Sequence, residues 1–228
     1  MDKLLKFNNK LIKSGNSIVR KAIDPLNPLN LPPNTVRVRT NDGNVPTKTN
    51  YTTYDTATLV PGTTDLYDVY KSGNNFYALF WQSSNVVEVL GANTNGITHM
   101  GSMFMQTSVI TVSLFDTSNV TKMGHMFSMC PSLTSVPLFD TSNVTDMKNM
   151  FSQSTSLTFV PLFNTSNVNN VNSMFSYCTN VQSGALALYQ QLSTQTNPPT
   201  NHTGTFSNCG TRTQTGAAEL AQIPDDWK

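Results

Sequence analysis

Charge is scarce in this chain: 12% of its 228 residues are Asp, Glu, Lys or Arg, about half the share of an ordinary soluble domain. Ser, Thr and Asn fill the polar positions instead, a balance familiar in extracellular or virion proteins built from turns and repeats and uncommon in cytosolic enzymes. Cysteine is nearly absent. The three present (Cys130, Cys178, Cys209) make an odd number, which argues against a disulfide framework and for folding in a reducing cytoplasm. No stretch approaches the roughly 18 apolar residues of a membrane span. The first residues, MDKLLKFNNKLIKSGNSIVRK, lack the apolar run and small-residue site of a secretory signal. No Gly-rich phosphate loop, dinucleotide fingerprint or nucleophile elbow is present. The expectation is a chain that is not an enzyme and carries no cofactor.

What charge there is lies unevenly. Residues 1–50 hold nine Lys/Arg against three Asp, and the remainder is mildly acidic. A basic arm on an acidic body implies two jobs for two parts. Between them runs DPLNPLNLPPN (residues 24–34), a Pro-rich extended linker. The alternation Val36-Arg37-Val38-Arg39 predicts a strand, and Leu66–Tyr70 with Phe76–Trp81 around Lys-Ser-Gly-Asn-Asn predicts a hairpin.

The body repeats. FDTSNVTKMGHMFSMCPSLTSVPL from Phe115, FDTSNVTDMKNMFSQSTSLTFVPL from Phe139 and FNTSNVNNVNSMFSYCTNVQSGAL from Phe163 align without gaps at a period of 24. A looser copy starts at Ala92. A fifth echo is Phe206-Ser-Asn-Cys209, and Gly216-Ala-Ala-Glu-Leu220 echoes Gly184-Ala-Leu-Ala-Leu188. Leu133, Val136 and Leu138, and again Leu157, Val160 and Leu162, give the L-x-x-L-x-L spacing of a repeat strand. Met123, Met126 and Phe127, then Met147, Met150 and Phe151, then Met174 and Phe175, have the spacing of one apolar helical face. Ser142 and Asn143 suit the cap of that helix. These fourteen residues are the expected core. Pro137 and Pro161 limit strand pairing, and GALALYQQLSTQ from Gly184 predicts a short helix.

Other columns invite chemistry and have plainer readings. The Met columns read as gap-filling core rather than a soft-metal site. Cys130, Ser154, Cys178 and Cys209 share one position and read as small residues in a tight turn rather than zinc ligands. Asp116, Asp140 and Asn164 suit calcium or turn capping, and capping is favoured. Asn119, Asn143 and Asn167 suit a buried asparagine ladder. His99, His125 and His202 fall in different columns and read as surface residues.

The repeat core, with FDTSNVTDMKNMF at its clearest, resembles the BspA-like leucine-rich-repeat family from about Val86 to the end. The tail resembles the form found in proteins of phages that infect gut Bacteroidetes, the crAss-like phages. The resemblance implies an α+β solenoid, a right-handed stack of 24-residue coils. The expected organisation is a basic arm and linker (1–34), a small β module (35–85) and a solenoid with a C-terminal cap (86–228). It implies a virion structural protein, such as a head fibre or exterior decoration, made in the host cytoplasm and displayed on the virion exterior. A bacterial cell-surface adhesin is the alternative. The arm (Lys3, Lys6, Phe7, Lys10, Leu11, Lys13, Arg20, Lys21) would attach to other virion proteins. The solenoid would meet a host-surface protein or glycan, and the assembly would be a homo-oligomer, a trimer by analogy with phage fibres. Neither membrane nor nucleic acid is expected as a partner, since nucleic acid would leave the arm's apolar residues without a use.

Overall fold

The computed structural model describes residues 29–228 and, before them, the backbone of two two-residue strands. These are β1 (Lys13–Ser14) and β2 (Ser17–Ile18), which pair antiparallel. The arm residues expected to attach the chain otherwise lie outside the described part.

Regular structure is concentrated at the two ends. Five strands, β3 (Thr35–Thr40), β4 (Thr56–Leu59), β5 (Leu66–Tyr70), β6 (Val86–Asn93) and β7 (Thr111–Val112), form one mixed sheet in the order β4-β5-β3-β6-β7. All neighbours pair antiparallel except β6 and β7, which run parallel. The alternation along β3 decides its faces. Val36 and Val38 are fully buried. Arg37 turns outward onto Asp68 at 2.6 and 2.7 Å, and Arg39 bridges Asp65 at 2.6 Å and Glu88 at 2.8 Å. At the other end stand α1 (Ala185–Thr194), α2 (Gln214–Ala221) and a final 3-10 turn, Asp225–Trp227.

This is not the leucine-rich-repeat solenoid expected from the sequence. Among the described residues the repeats contain no helix between Val86 and Gly184 and no strand after β7 until α1. The M-x-x-M-F segments are successive four-residue turns. Met103 N–H donates to the Met100 carbonyl, Met105 to Ser102 and Thr107 to Phe104. Ser102 and Gln106 stand at φ 55° and 58°, the third position of a turn that requires left-handed backbone. His125 and Met129, Asn149 and Gln153, and Ser173 and Tyr177 repeat both features one period on. Consecutive turns bring residues three apart to one side, as a helix does, so the spacing alone cannot separate them.

The L-x-x-L-x-L segments form no strand either, because Pro137 and Pro161 lack the N–H a ladder needs. What pairing survives there is sparse: Thr134 donates to Ile110 and Thr158 to Thr134, each at 3.4 Å. Leu133, Leu157 and Val160 are buried and Val136 is half-buried, whereas Leu138 is 62% exposed and Leu162 45%. Those two leucines do not join the core. Nor does the hairpin expected across Phe76–Trp81 form. β5 pairs with β3 and β4, and residues 76–83 make the same paired turns as the repeats.

Turn is laid on turn by alternate backbone bonds. Met100, Ser102, Phe104 and Gln106 donate to the carbonyls of Lys122, Gly124, Met126 and Ser128, each at 2.9 Å. Parallel bridges mark the same column from Asn75 through His99, Lys122, Asp146 and Asn170 to Asn201. Inside, Phe80, Phe104, Phe127, Phe151, Phe175 and Phe206 stack with successive centroids 5.0–6.2 Å apart and planes within 13°. Met123, Met126, Met147, Met150 and Met174 are fully buried around them. One apolar cluster runs from Val36 to Trp227, and the sheet crosses the boundary expected at residue 85, since β6 pairs with β3.

Candidate functional site

The turns place their side chains on set rows, and each row has its own chemistry. Cys130, Ser154 and Cys178 point inward, where they donate to the carbonyls of Phe104 at 2.9 Å, Phe127 at 2.6 Å and Phe151 at 3.0 Å. A serine doing the work of a cysteine marks the row as a backbone clamp between repeats. All three cysteines are free and buried. Burial pushes the Cys130 thiol up to about 11 and Cys209 up to about 12, and holds Cys178 well above its ordinary value. A thiolate is the reactive form. The native protein should therefore resist a thiol reagent that counts three groups once the chain is unfolded without reductant. A count of one after unfolding would mean a Cys178–Cys209 disulfide.

The carboxylate row serves the backbone. Asp116, Asp140 and Asn164 each accept, through Oδ1, the N–H two residues on, at 2.9, 3.0 and 3.1 Å. Those bonds hold the Asp140 carboxyl below the usual carboxylate range. Buried Thr117 and Thr141 next to them donate to the following repeat's carbonyls at Asp140 and Asn164. Asn143 and Asn167 do reach back one repeat, to the carbonyls of Ser118 and Ser142, but from exposed positions. The asparagine ladder is therefore a surface one. His99 and His125 are half-buried. Burial, and then the positive charge of Lys122 and Lys148 respectively, lowers both below the ordinary imidazole value, with Asp146 opposing. Among the described residues no three His, Cys, Asp or Glu gather as a metal site.

Two surfaces remain after this internal accounting. One is the file of Leu114, Leu138 and Leu162, 42, 62 and 45% exposed, with Ile110 and Phe159 also exposed on the same segments. Between Leu138, Leu162, Gln191 of α1 and Gln195 just past its end lies a shallow open groove of about 620 Å³. The other surface caps the first turns of the stack. Tyr51, half-exposed, stacks on Trp81 at 4.5 Å and 26°. Trp81 Nε1 and Gln82 Nε2 both donate to Gln106 Oε1 at 2.9 Å, and Gln106 is itself exposed. Tyr77, also exposed, tilts onto His99 at 5.2 Å. Sequence reasoning missed both surfaces. The leucines were assigned to the core, and residues 75–83 were not read as a turn pair of the stack.

Similarity to known proteins is confined to the repeats. No curated protein and no solved structure matches the chain. Because the described repeats form neither the strand nor the helix of a leucine-rich repeat and the family model that matches is a different one, the resemblance to the BspA-like leucine-rich-repeat family is corrected, and with it the terms leucine-rich repeat, solenoid, virion, phage structural protein and head fibre. What matches is a family model described as "Mycoplasma protein of unknown function, DUF285", over residues 74–186, a little under half of the chain, from the first turn pair into α1.

Proposed function

We propose that the chain is a non-catalytic binding protein: a stiff stack of turns that presents the aromatic–amide cluster at its first turns to a glycan on a host surface. The single observation that carries this reading is the cluster of Tyr51, Trp81, Tyr77, Gln82 and Gln106. Flat aromatic rings offer a face to the C–H side of a sugar, and amides beside them exchange hydrogen bonds with its hydroxyls. Amphipathic rings with one dry and one wet side suit such a surface. Within the repeats Cys130, Ser154, Cys178, Thr117 and Thr141 bond carbonyls of neighbouring repeats, and Asp116 and Asp140 cap N–H groups of their own turns.

The test is binding of the full chain to a glycan array and to host cells. Tyr51→Ala and Gln106→Ala should each weaken binding at least tenfold and leave the melting temperature within a few degrees. Binding that survives both substitutions would move the site elsewhere on the stack.

A further inference from the structure

Every apolar row of the repeats turns inward except that of Leu114, Leu138 and Leu162. Single exposed leucines are ordinary on a protein surface, but a contiguous file of them marks a place that something covers. The register of the sheet shows where the file begins. Glu88 lies opposite Thr111 and Val89 opposite Val112, so Gly91 stands one step ahead of Leu114 in the same row. Gly91 has no side chain to continue the file. Leu29 supplies one: its Cδ1 lies 3.1 Å from where a Cβ on Gly91 would stand. The polypeptide thus enters the described fold at the head of the leucine file, with a leucine already seated in the row.

Charge agrees with this position. Asp116 and Asp140 lie two residues beyond Leu114 and Leu138, with buried Phe115 and Phe139 between them, so each aspartate stands on the outer side beside its leucine. Among the described residues neither aspartate makes an ion pair. Residues 1–28 carry six Lys/Arg against two Asp, together with Leu4, Leu5, Phe7, Leu11, Ile12, Ile18, Val19, Ile23 and Leu26. That is apolar surface for the leucines and cations for the aspartates.

We propose that residues 1–28 cover the leucine file of their own chain, continuing from Leu29 over Leu114, Leu138 and Leu162 towards α1. Three steps at a strand spacing of ~4.8 Å make ~14 Å, which about five extended residues span, so the segment is long enough several times over. The groove beside Gln191 and Gln195 receives the side chains that pass the file. Tethering at Leu29 gives the segment an effective concentration in the millimolar range, which favours its own file over that of a second copy. The proposal does not depend on the glycan reading, whose residues lie on a different surface.

The test uses the full chain with a benzophenone photo-crosslinking residue in place of Leu138, prepared as an equal mixture of isotopically light and heavy protein. A second preparation carries the probe at exposed Gln153, on a turn, to measure what the tether alone produces. Irradiation should join position 138 to residues 1–28 within one chain, at least tenfold more than position 153 does. Mixed light–heavy products, equal yields from the two positions, capture of residues outside 1–28, or no product would each overturn the proposal. An independent arm needs no probe: Leu162→Asp should leave melting nearly unchanged and speed backbone hydrogen exchange in residues 1–28 at least fivefold. Unchanged exchange would also overturn it.

Discussion

Phe151→Ala should lower stability by about 3–5 kcal/mol, the cost of deleting a buried aromatic ring, and shift heat unfolding down by roughly 6–20 °C for a chain of this size. The ring sits in the middle of the stack, 5.7 Å from Phe127 on one side and 5.0 Å from Phe175 on the other, with Phe163 at 6.1 Å. In stacked repeats most stability resides in nearest-neighbour contacts, so one missing ring weakens two interfaces at once. The hole has little means of closing, because the backbone bonds Phe127-to-Met150 and Phe151-to-Met174, both 2.9 Å, fix the spacing of the turns on either side. Phe159→Ala is the matched control: that ring is 48% exposed, and its loss should cost no more than about 0.5 kcal/mol. A melt of Phe151→Ala that moved by only a degree or two would remove the ring from the stack.

The contrast between those two phenylalanines shows how far the sequence could be read. The 24-residue period was legible, and the structure uses it as the offset from Lys122 to Asp146 to Asn170. The Val-Arg alternation of β3 was legible because a strand's faces follow from period two. The helix at Gly184 was legible from its run of good helix formers. The turns were not, because i, i+3, i+4 spacing is shared by a helix and by consecutive turns. The separating signal was present in the row Ser102, His125, Asn149, Ser173 and Gly204, where small and turn-forming residues hold a left-handed position. The candidate surfaces were hidden for a different reason. In Leu-x-x-Val-Pro-Leu the hydrophobicity of Leu138 says that it seeks cover, and only the path of an irregular, proline-interrupted segment decides that it faces out. Residues 75–83 escaped the alignment because Phe76 and Leu79 replace the methionines, although Phe80 and Gln82 keep the positions of Phe104 and Gln106.

The second large effect is expected at Gly184. Gly184→Ala should cost about 2–5 kcal/mol, the sum of left-handed backbone strain and overpacking. The residue stands at φ 96°, and a Cβ there would lie 2.5 Å from the Val160 carbonyl oxygen and 3.2 Å from the Val160 nitrogen. Those are backbone atoms, so no side chain can swing away to make room. The position also starts α1. The Glu219 carboxylate of α2 accepts the N–H groups of Gly184 at 3.3 Å and Leu186 at 3.1 Å, supplying acceptors for donors that a helix start leaves without partners. A displaced Gly184 pulls those donors off Glu219 and loosens Ala185, Leu188 and Leu192 from the core they fill. Gly73 separates the two causes, because it shares positive φ (80°) but has open space where a Cβ would go. Gly73→Ala should show the backbone strain alone, about 1–2 kcal/mol. Gly184→Ala should exceed it by several degrees of melting temperature and lose helical ellipticity first. Equal losses at the two glycines would mean that the Val160 segment and α1 can part without cost, and that the helical end of the molecule is not locked to the last turns as the contacts require.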